Sequence, residues 1–168
     1  MINATTKLSD NGIQLLKAIE AFRGQPYDDQ TGQPITAWCK GATIGYGHLI
    51  TRKQWQRFKD GITEPVAAML LADALISREA AVYHAISKRL TQQQFDALVL
   101  LAYNIGNGAF ARSSVVKMIN NPRRATGYPT LETAWKAWNR SQGRVNPGLI
   151  NRRRCEWDVW QHGIYKAW

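Results

Sequence analysis

Acidic residues are scarce in this chain of 168 residues: 12 Asp and Glu stand against 22 Lys and Arg, giving a formal net charge of +10 and a pI near 10.0. Cysteine is scarcer still. Cys39 and Cys155 lie too far apart for a zinc motif or a CxxC redox pair, so they read as two separate thiols. The three histidines (48, 84 and 162) fall at no metal-ligand spacing. No metal site and no cofactor are therefore expected. No apolar run approaches the ~18 residues of a membrane span. The longest candidate, Phe95 to Ile105, contains Asp96, Tyr103 and Asn104. The N-terminus, MINATTKLSDNG, is polar and has no signal-peptide apolar region, so the chain is expected to be made soluble in the cytoplasm. There is no internal repeat. With 45% hydrophobic and 20% charged residues, long disorder and low-complexity architectures are excluded.

What is present suits one domain, or one domain with a small subdomain. A chain of this length buries roughly 70% of its unfolded surface without a disulfide framework. The positive charge is concentrated late. Residues 1–111 carry 11 basic and 9 acidic groups, whereas residues 112–168 carry 11 basic and 3 acidic. Such an excess favours a polyanionic partner: nucleic acid, an anionic lipid surface or an acidic wall polymer.

Ser9 or Asp10 can cap a first helix in which Ile13, Leu16, Ile19 and Phe22 recur at helical spacing, with Gly24 as its stop. Residues 24–34 hold Gly24, Pro26, Asp28, Asp29, Gly32 and Pro34, which is turn chemistry. Between Ile35 and Ile50, β-branched and aromatic residues alternate around Lys40-Gly41, predicting a small antiparallel hairpin or three short strands. Everything afterwards reads as helix: a short one from Thr51 to near Gly61, a long one from Thr63 to about Ser87, and one opened by the capping box Thr91/Gln94. That last helix is apolar nearly all round, which places it in the middle of a bundle. Further helices are predicted at about 109–119, 131–140 and 149–162. The predicted fold class is α+β and predominantly helical. A small β-containing lobe (about 25–60) and a helical lobe (1–24 and 61–168) are expected, with a cleft at their seam.

Three residues could carry chemistry. Glu20 sits near the C-terminal end of the first helix, where the helix dipole and apolar neighbours both oppose ionisation, as a general acid requires; it could equally be a surface glutamate. Asp29 lies nine residues later in a glycine- and proline-rich loop, where a solvated carboxylate stays charged. One neutral and one charged carboxyl is the arrangement of glycoside hydrolysis. Asp28 competes for the role, and either could simply support an Asx turn. Thr43 lies on a strand and could orient a water, since its hydroxyl both donates and accepts; it could also be an ordinary strand former. Gly45 and Gly47 leave one face of that strand bare, which suits close approach of a ligand or another backbone.

The string Glu20…Arg23-Gly24…Tyr27-Asp28-Asp29…Gly32…Thr43-Ile44-Gly45-Tyr46-Gly47-His48 resembles the phage-type lysozymes, the muramidase endolysins of glycoside hydrolase family 24. Two further stretches, Ala102 to Phe110 and Pro147 to Arg154, resemble that family's central helix end and its Arg-rich last helix. The resemblance implies a lysozyme-like fold. It also implies cleavage of the β-1,4 bond between N-acetylmuramic acid and N-acetylglucosamine in peptidoglycan. Glu20 would be the acid, Asp29 the second carboxylate and Thr43 the water-positioning hydroxyl. It further implies a sugar contact at Asn104, which could alternatively help to end its helix, and an Arg152–Glu20 contact, where Arg152 could otherwise be a solvated arginine. His48 is taken as structural, paired with an aspartate. One departure is an insertion: 13 residues (30–42) separate Asp29 from Thr43, where the family usually has about five, and they should lengthen the hairpin.

The family reading makes the chain a phage endolysin. It would be monomeric, made in the host cytoplasm and released through a separate pore to act on the wall in the periplasm. The basic C-terminal third would complement an anionic outer-membrane surface, and Arg152, Arg153 and Arg154 beside Trp157 and Trp160 could form a basic amphipathic helix. Two alternatives compete. One is a non-catalytic basic binder of wall or nucleic acid, although no nucleic-acid-binding motif is present. The other is a delivered antibacterial muramidase on the same fold. The i,i+3 pairs Trp135/Trp138 and Trp157/Trp160 are read as core, with one or two rings able to border a sugar site.

Overall fold

The computed structural model describes residues 6–168, so the start of the polar N-terminus read above lies outside the described residues. The first helix, α1 (Asp10–Glu20), ends sooner than its periodicity predicts. Ala21 takes a left-handed φ of 53° and stops it, and Gly24, the predicted stop, belongs to the strand that follows. That strand, β1 (Arg23–Asp28), occupies a stretch predicted as turn. Its glycine and proline are tolerated because β1 is an edge of the sheet and its register slips between Arg23 and Tyr27. A three-stranded antiparallel sheet in the order β1-β2-β3 is completed by β2 (Ala42–Gly45) and β3 (His48–Leu49). A turn at Arg52–Gln54 leads into α2 (Trp55–Phe58), and α3 spans Glu64–Ala85.

The chain divides into two compact units, of which one is Lys17–Ala74. Its core is Ala42, Ile44, Ile50 and Phe58, with Ile35, Trp38, Cys39, Trp55, Ile62 and Leu70 packed around them. The insertion thus supplies core rather than a longer hairpin. The β1–β2 ladder gains no rung beyond Asp28/Ala42. Residues 28–34 instead turn back on β1 through an isolated Tyr27/Pro34 bridge, and the Trp38 indole donates to the Ile50 carbonyl at 2.8 Å. Gly45 and Gly47 do not form a bare strand face. Gly45 ends β2 and Gly47 lies in the tight turn after it, and both take positive φ (68° and 86°). At Gly45 a Cβ would stand 3.0 Å from the Ala67 Cβ, so it is another element that approaches this glycine closely.

The other unit comprises Leu75–Trp168 with the segment up to Leu16. Its centre is α4 (Gln92–Ile105), opened by the predicted capping box: the Thr91 side chain accepts from Gln94 N–H, and the Gln94 side chain accepts from Thr91 N–H at 3.0 Å. Phe95 and Ala97 through Ala102 are fully buried. Around α4 lie α5 (Asn107–Arg112), α6 (Ser114–Asn120), α7 (Leu131–Lys136) and α8 (Pro147–His162). The helix predicted to 140 stops at Lys136 and gives way to a hairpin of β4 (Arg140–Ser141) and β5 (Arg144–Val145). Its turn residues Gln142 and Gly143 both take positive φ, the conformation of a two-residue hairpin loop.

Two buried polar clusters hold this unit. Asp96, fully buried in α4, accepts from Ser9 N–H (3.1 Å), the Ser9 hydroxyl, Gln92 Nε2 (2.8 Å) and the Tyr165 hydroxyl (2.7 Å). Glu156, also fully buried, accepts from Trp135 Nε1 (3.0 Å), Arg152 Nε (3.2 Å) and Arg153 Nη2 (2.8 Å). Of the three consecutive arginines only Arg154 is exposed, so α8 does not present them together as a basic stripe. Trp135 is buried between Trp157 and Trp160, at centroid distances of 5.9 and 5.5 Å. No helix among the described residues is long and apolar enough to cross a membrane. Both cysteines are free; burial and then the Glu156 and Asp158 charges push the Cys155 thiol up to about 11.

Candidate functional site

The unit Lys17–Ala74 brings together three of the residues singled out from sequence. Glu20 is the last residue of α1 and is half-buried. The left-handed Ala21 turns the chain from that helix directly into β1, a conformation that costs an L-residue of order 1 kcal/mol. At the far end of β1 the chain delivers Asp28 and Asp29.

The two aspartates differ sharply. Asp28 is occupied by the turn: Oδ1 accepts from Gln30 N–H (3.0 Å), Oδ2 from the Thr31 hydroxyl (3.1 Å), and its carbonyl from Gly32 N–H (2.8 Å). This is the Asx-turn role. Asp29 is exposed, and its backbone N–H donates to the Gly41 carbonyl at 3.1 Å. Thr43 lies on the central strand, paired to Tyr27 on one side and Leu49 on the other, and is nearly buried. Its hydroxyl donates to that same Gly41 carbonyl at 2.9 Å. With its proton committed there, the Thr43 oxygen is left as an acceptor.

Sequence reasoning missed Tyr27. Arg23 stacks over its ring at 3.8 Å and donates to the Gly32 carbonyl at 2.9 Å. Burial raises the Tyr27 phenol above its usual value; the Arg23 cation opposes this, and the Glu20 and Asp29 carboxylates add to it. Tyr27 is therefore a common electrostatic neighbour of both carboxylates. Tyr46, in the β2–β3 turn, donates to Glu64 Oε1 at 2.6 Å, and burial with that contact pushes its phenol up to about 12. This bond ties the turn after Thr43 to the start of α3.

His48 is not paired with an aspartate. Its ring packs edge-on against Phe58 at 5.4 Å, and its Nε2 is buried with no hydrogen-bond partner among the described residues. Burial lowers its pKa, and the Arg57 cation adds to this. The unfolded chain, with an ordinary histidine near 6.5, takes up a proton that the folded His48 resists. The stability from neutral His48 is thus complete above about pH 6.5 and is lost as pH falls below it. Between pH 6.5 and 5 the melting temperature of the parent should fall more steeply than that of His48→Leu. Parallel slopes in thermal melts would contradict this role.

Arg152 and Asn104 belong to the other unit. Arg152 donates to Glu156 as described, and Asn104 is exposed at the end of α4 with its Oδ1 accepting from Arg153 Nη2 at 2.8 Å. The buried Arg153 and Glu156 were not legible as a pair, because opposite charges three residues apart on a helix usually mark a solvated face.

A predominantly helical chain with a small antiparallel sheet, carrying a glutamate at its first helix end, defines a lysozyme-like fold. The comparisons agree. The phage lysozyme family model matches residues 17–156. The endolysin of Bacillus phage PZA is 34% identical over 160 residues, covering 95% of this chain and 57% of that protein. The endolysin of Salmonella phage P22 is 33% identical over 152 residues, covering 89% and 94%. Among solved structures, the endolysin from Escherichia coli O157:H7 phage FAHEc1 superposes with a TM-score of 0.74 at 30% identity over 98% of this chain and 99% of that one. The muramidase domain of SpmX from Asticaccaulis excentricus gives 0.72 at 31%, over 92% and 97%. The chain belongs to the phage lysozyme family. It spans about half the length of the two Bacillus phage relatives it matches and nearly all of the P22 endolysin.

Proposed function

We propose that the chain is a peptidoglycan hydrolase that cleaves the β-1,4 bond between N-acetylmuramic acid and N-acetylglucosamine. Glu20 donates a proton to the departing glycosidic oxygen. Asp29 takes a proton from a water that attacks the anomeric carbon from the opposite face, so that the configuration inverts. Thr43 accepts that water's second hydrogen. With both hydrogens held, the water's lone pair is directed at the anomeric carbon, which is the orientation an attack requires. Asn104, its Oδ1 held by Arg153, offers its amide N–H to a sugar. The observation that carries this reading is the shared Gly41 carbonyl, which ties the Asp29 backbone and the Thr43 hydroxyl to one atom in the unit that also holds Glu20.

The biological setting is proposed by analogy with the family. The protein is a monomeric phage endolysin, made in the host cytoplasm and released through a separate pore to the wall in the periplasm, with no nucleic-acid partner. Arg112, Lys117, Arg123, Arg124, Arg140, Arg144 and Arg154 are all exposed and suit an anionic outer-membrane surface. Lysis of whole cells should therefore fall with added salt more steeply than cleavage of short soluble oligosaccharides.

Digestion of purified peptidoglycan tests the reaction. Product masses should show saturated muramic reducing ends, and proton NMR should show the α-anomer forming first. Anhydromuramic products would make the chain a transglycosylase, and no new ends at all would make it a binder.

A further inference from the structure

We infer that Gly41 is a positioning residue for this reaction: its missing side chain and its carbonyl oxygen together set the Asp29 carboxylate and the Thr43 hydroxyl at their working separation. The inference rests on the reading above, in which those two groups handle the attacking water.

Gly41 meets the two groups in two ways. Its carbonyl oxygen accepts from both, from Asp29 N–H at 3.1 Å and from the Thr43 hydroxyl at 2.9 Å, so both lone pairs are occupied. Its α-carbon carries the Asp29 carboxylate against it: a Cβ at position 41 would stand 2.3 Å from Asp29 Oδ1 and 3.2 Å from Asp28 Oδ1. The first of these distances is far inside van der Waals contact, so any side chain must displace the carboxylate. The backbone at 41 also has φ +100°, which an L-residue rarely adopts.

This arrangement accounts for how the site accommodates the insertion. Asp29 and Thr43 are separated by 13 residues along the chain but are joined through one carbonyl. The intervening residues are fixed separately, by Ile35, Trp38 and Cys39 packing on the small core. The length of the loop is thereby uncoupled from the spacing of the reacting groups. A glycine serving only as a turn residue would need the positive φ but not the contact with Asp29.

Gly143 supplies the control. It has φ +77°, and a Cβ added there would meet nothing within 4 Å, so Gly143→Ala suffers the backbone penalty alone. Gly143→Ala should lose some melting temperature and keep its kcat. Gly41→Ala should lose about 100-fold in kcat with KM within about twofold, the cost of misplacing a reacting group by an ångström or so. The melting-temperature loss from Gly41→Ala should shrink in an Asp29→Ala background, because the carboxylate it collides with is gone. If Gly41→Ala alone fails to fold, Asp29→Ala/Gly41→Ala should fold. The inference is overturned if Gly41→Ala keeps kcat within about threefold of the parent, or if its stability cost is unchanged when Asp29 is removed. Full activity in Asp29→Asn would instead overturn the reading of the site itself. The two failures are thus told apart by which variant stays active.

Discussion

Glu20→Gln should leave a folded protein that releases reducing ends from peptidoglycan about 10²–10⁴-fold more slowly than the parent. The amide keeps the shape of the carboxyl and removes only the proton it can give. Glu20 is the last residue of α1 and only half-buried, so the amide brings no new shape into the core. The melting temperature should therefore stay within a few degrees of the parent. Turnover near that of the parent would exclude Glu20 as the acid, and Tyr27, whose phenol feels both carboxylates, would be the next group to test.

The largest loss of stability is expected at Glu156. In Glu156→Ala the Trp135 indole loses its acceptor, and Arg152 and Arg153 lose the carboxylate between them in a site without solvent. Removing one partner of a buried ion pair costs about 3–5 kcal/mol, because the remaining charge is left uncompensated. For a chain of this size each kcal/mol is worth about 2–4 °C, so the melting temperature should drop by about 6–20 °C. Burial already pulls the Arg153 guanidinium below its usual pKa against the opposing pull of Glu156, which marks how dry the site is. Chemical denaturation with an unchanged midpoint would mean that solvent reaches these arginines.

Much of the helical framework was readable because it follows period and cap. The Thr91/Gln94 box and the all-round apolar run placed α4 at the centre of its unit, where it lies. Elements that break local rules were not readable. β1 contains Gly24 and Pro26, whose turn chemistry outweighs strand propensity until the edge position and slipped register are known. The β4–β5 hairpin is fully exposed, so it has no apolar alternation to reveal it. At the site, the sequence singles out Glu20, Asp29 and Thr43 but keeps Asp28 as a competitor for the role of Asp29. What distinguishes them is which carboxylate the turn occupies, a matter of side-chain geometry. The buried Arg153–Glu156 pair and the Asp96 cluster are invisible for a similar reason. Each depends on partners distant in sequence, such as Trp135 at 21 positions and Tyr165 at 69.

The tryptophan cluster around Trp135 gives the molecule its own optical reporters. Closely packed indoles couple through their strong far-ultraviolet transition, so Trp135, Trp157 and Trp160, with ring centroids 5.9 and 5.5 Å apart, should produce an exciton couplet in far-ultraviolet circular dichroism. Trp38 and Trp55 lie in the unit Lys17–Ala74, and the other five tryptophans lie outside it. In the parent itself the couplet follows the unit that holds Trp135, while the reactivity of the Cys39 thiol, packed on the small core, follows the unit Lys17–Ala74. Superimposable melts from the two signals would mean that the chain unfolds as one cooperative body; separated melts would give each unit its own transition.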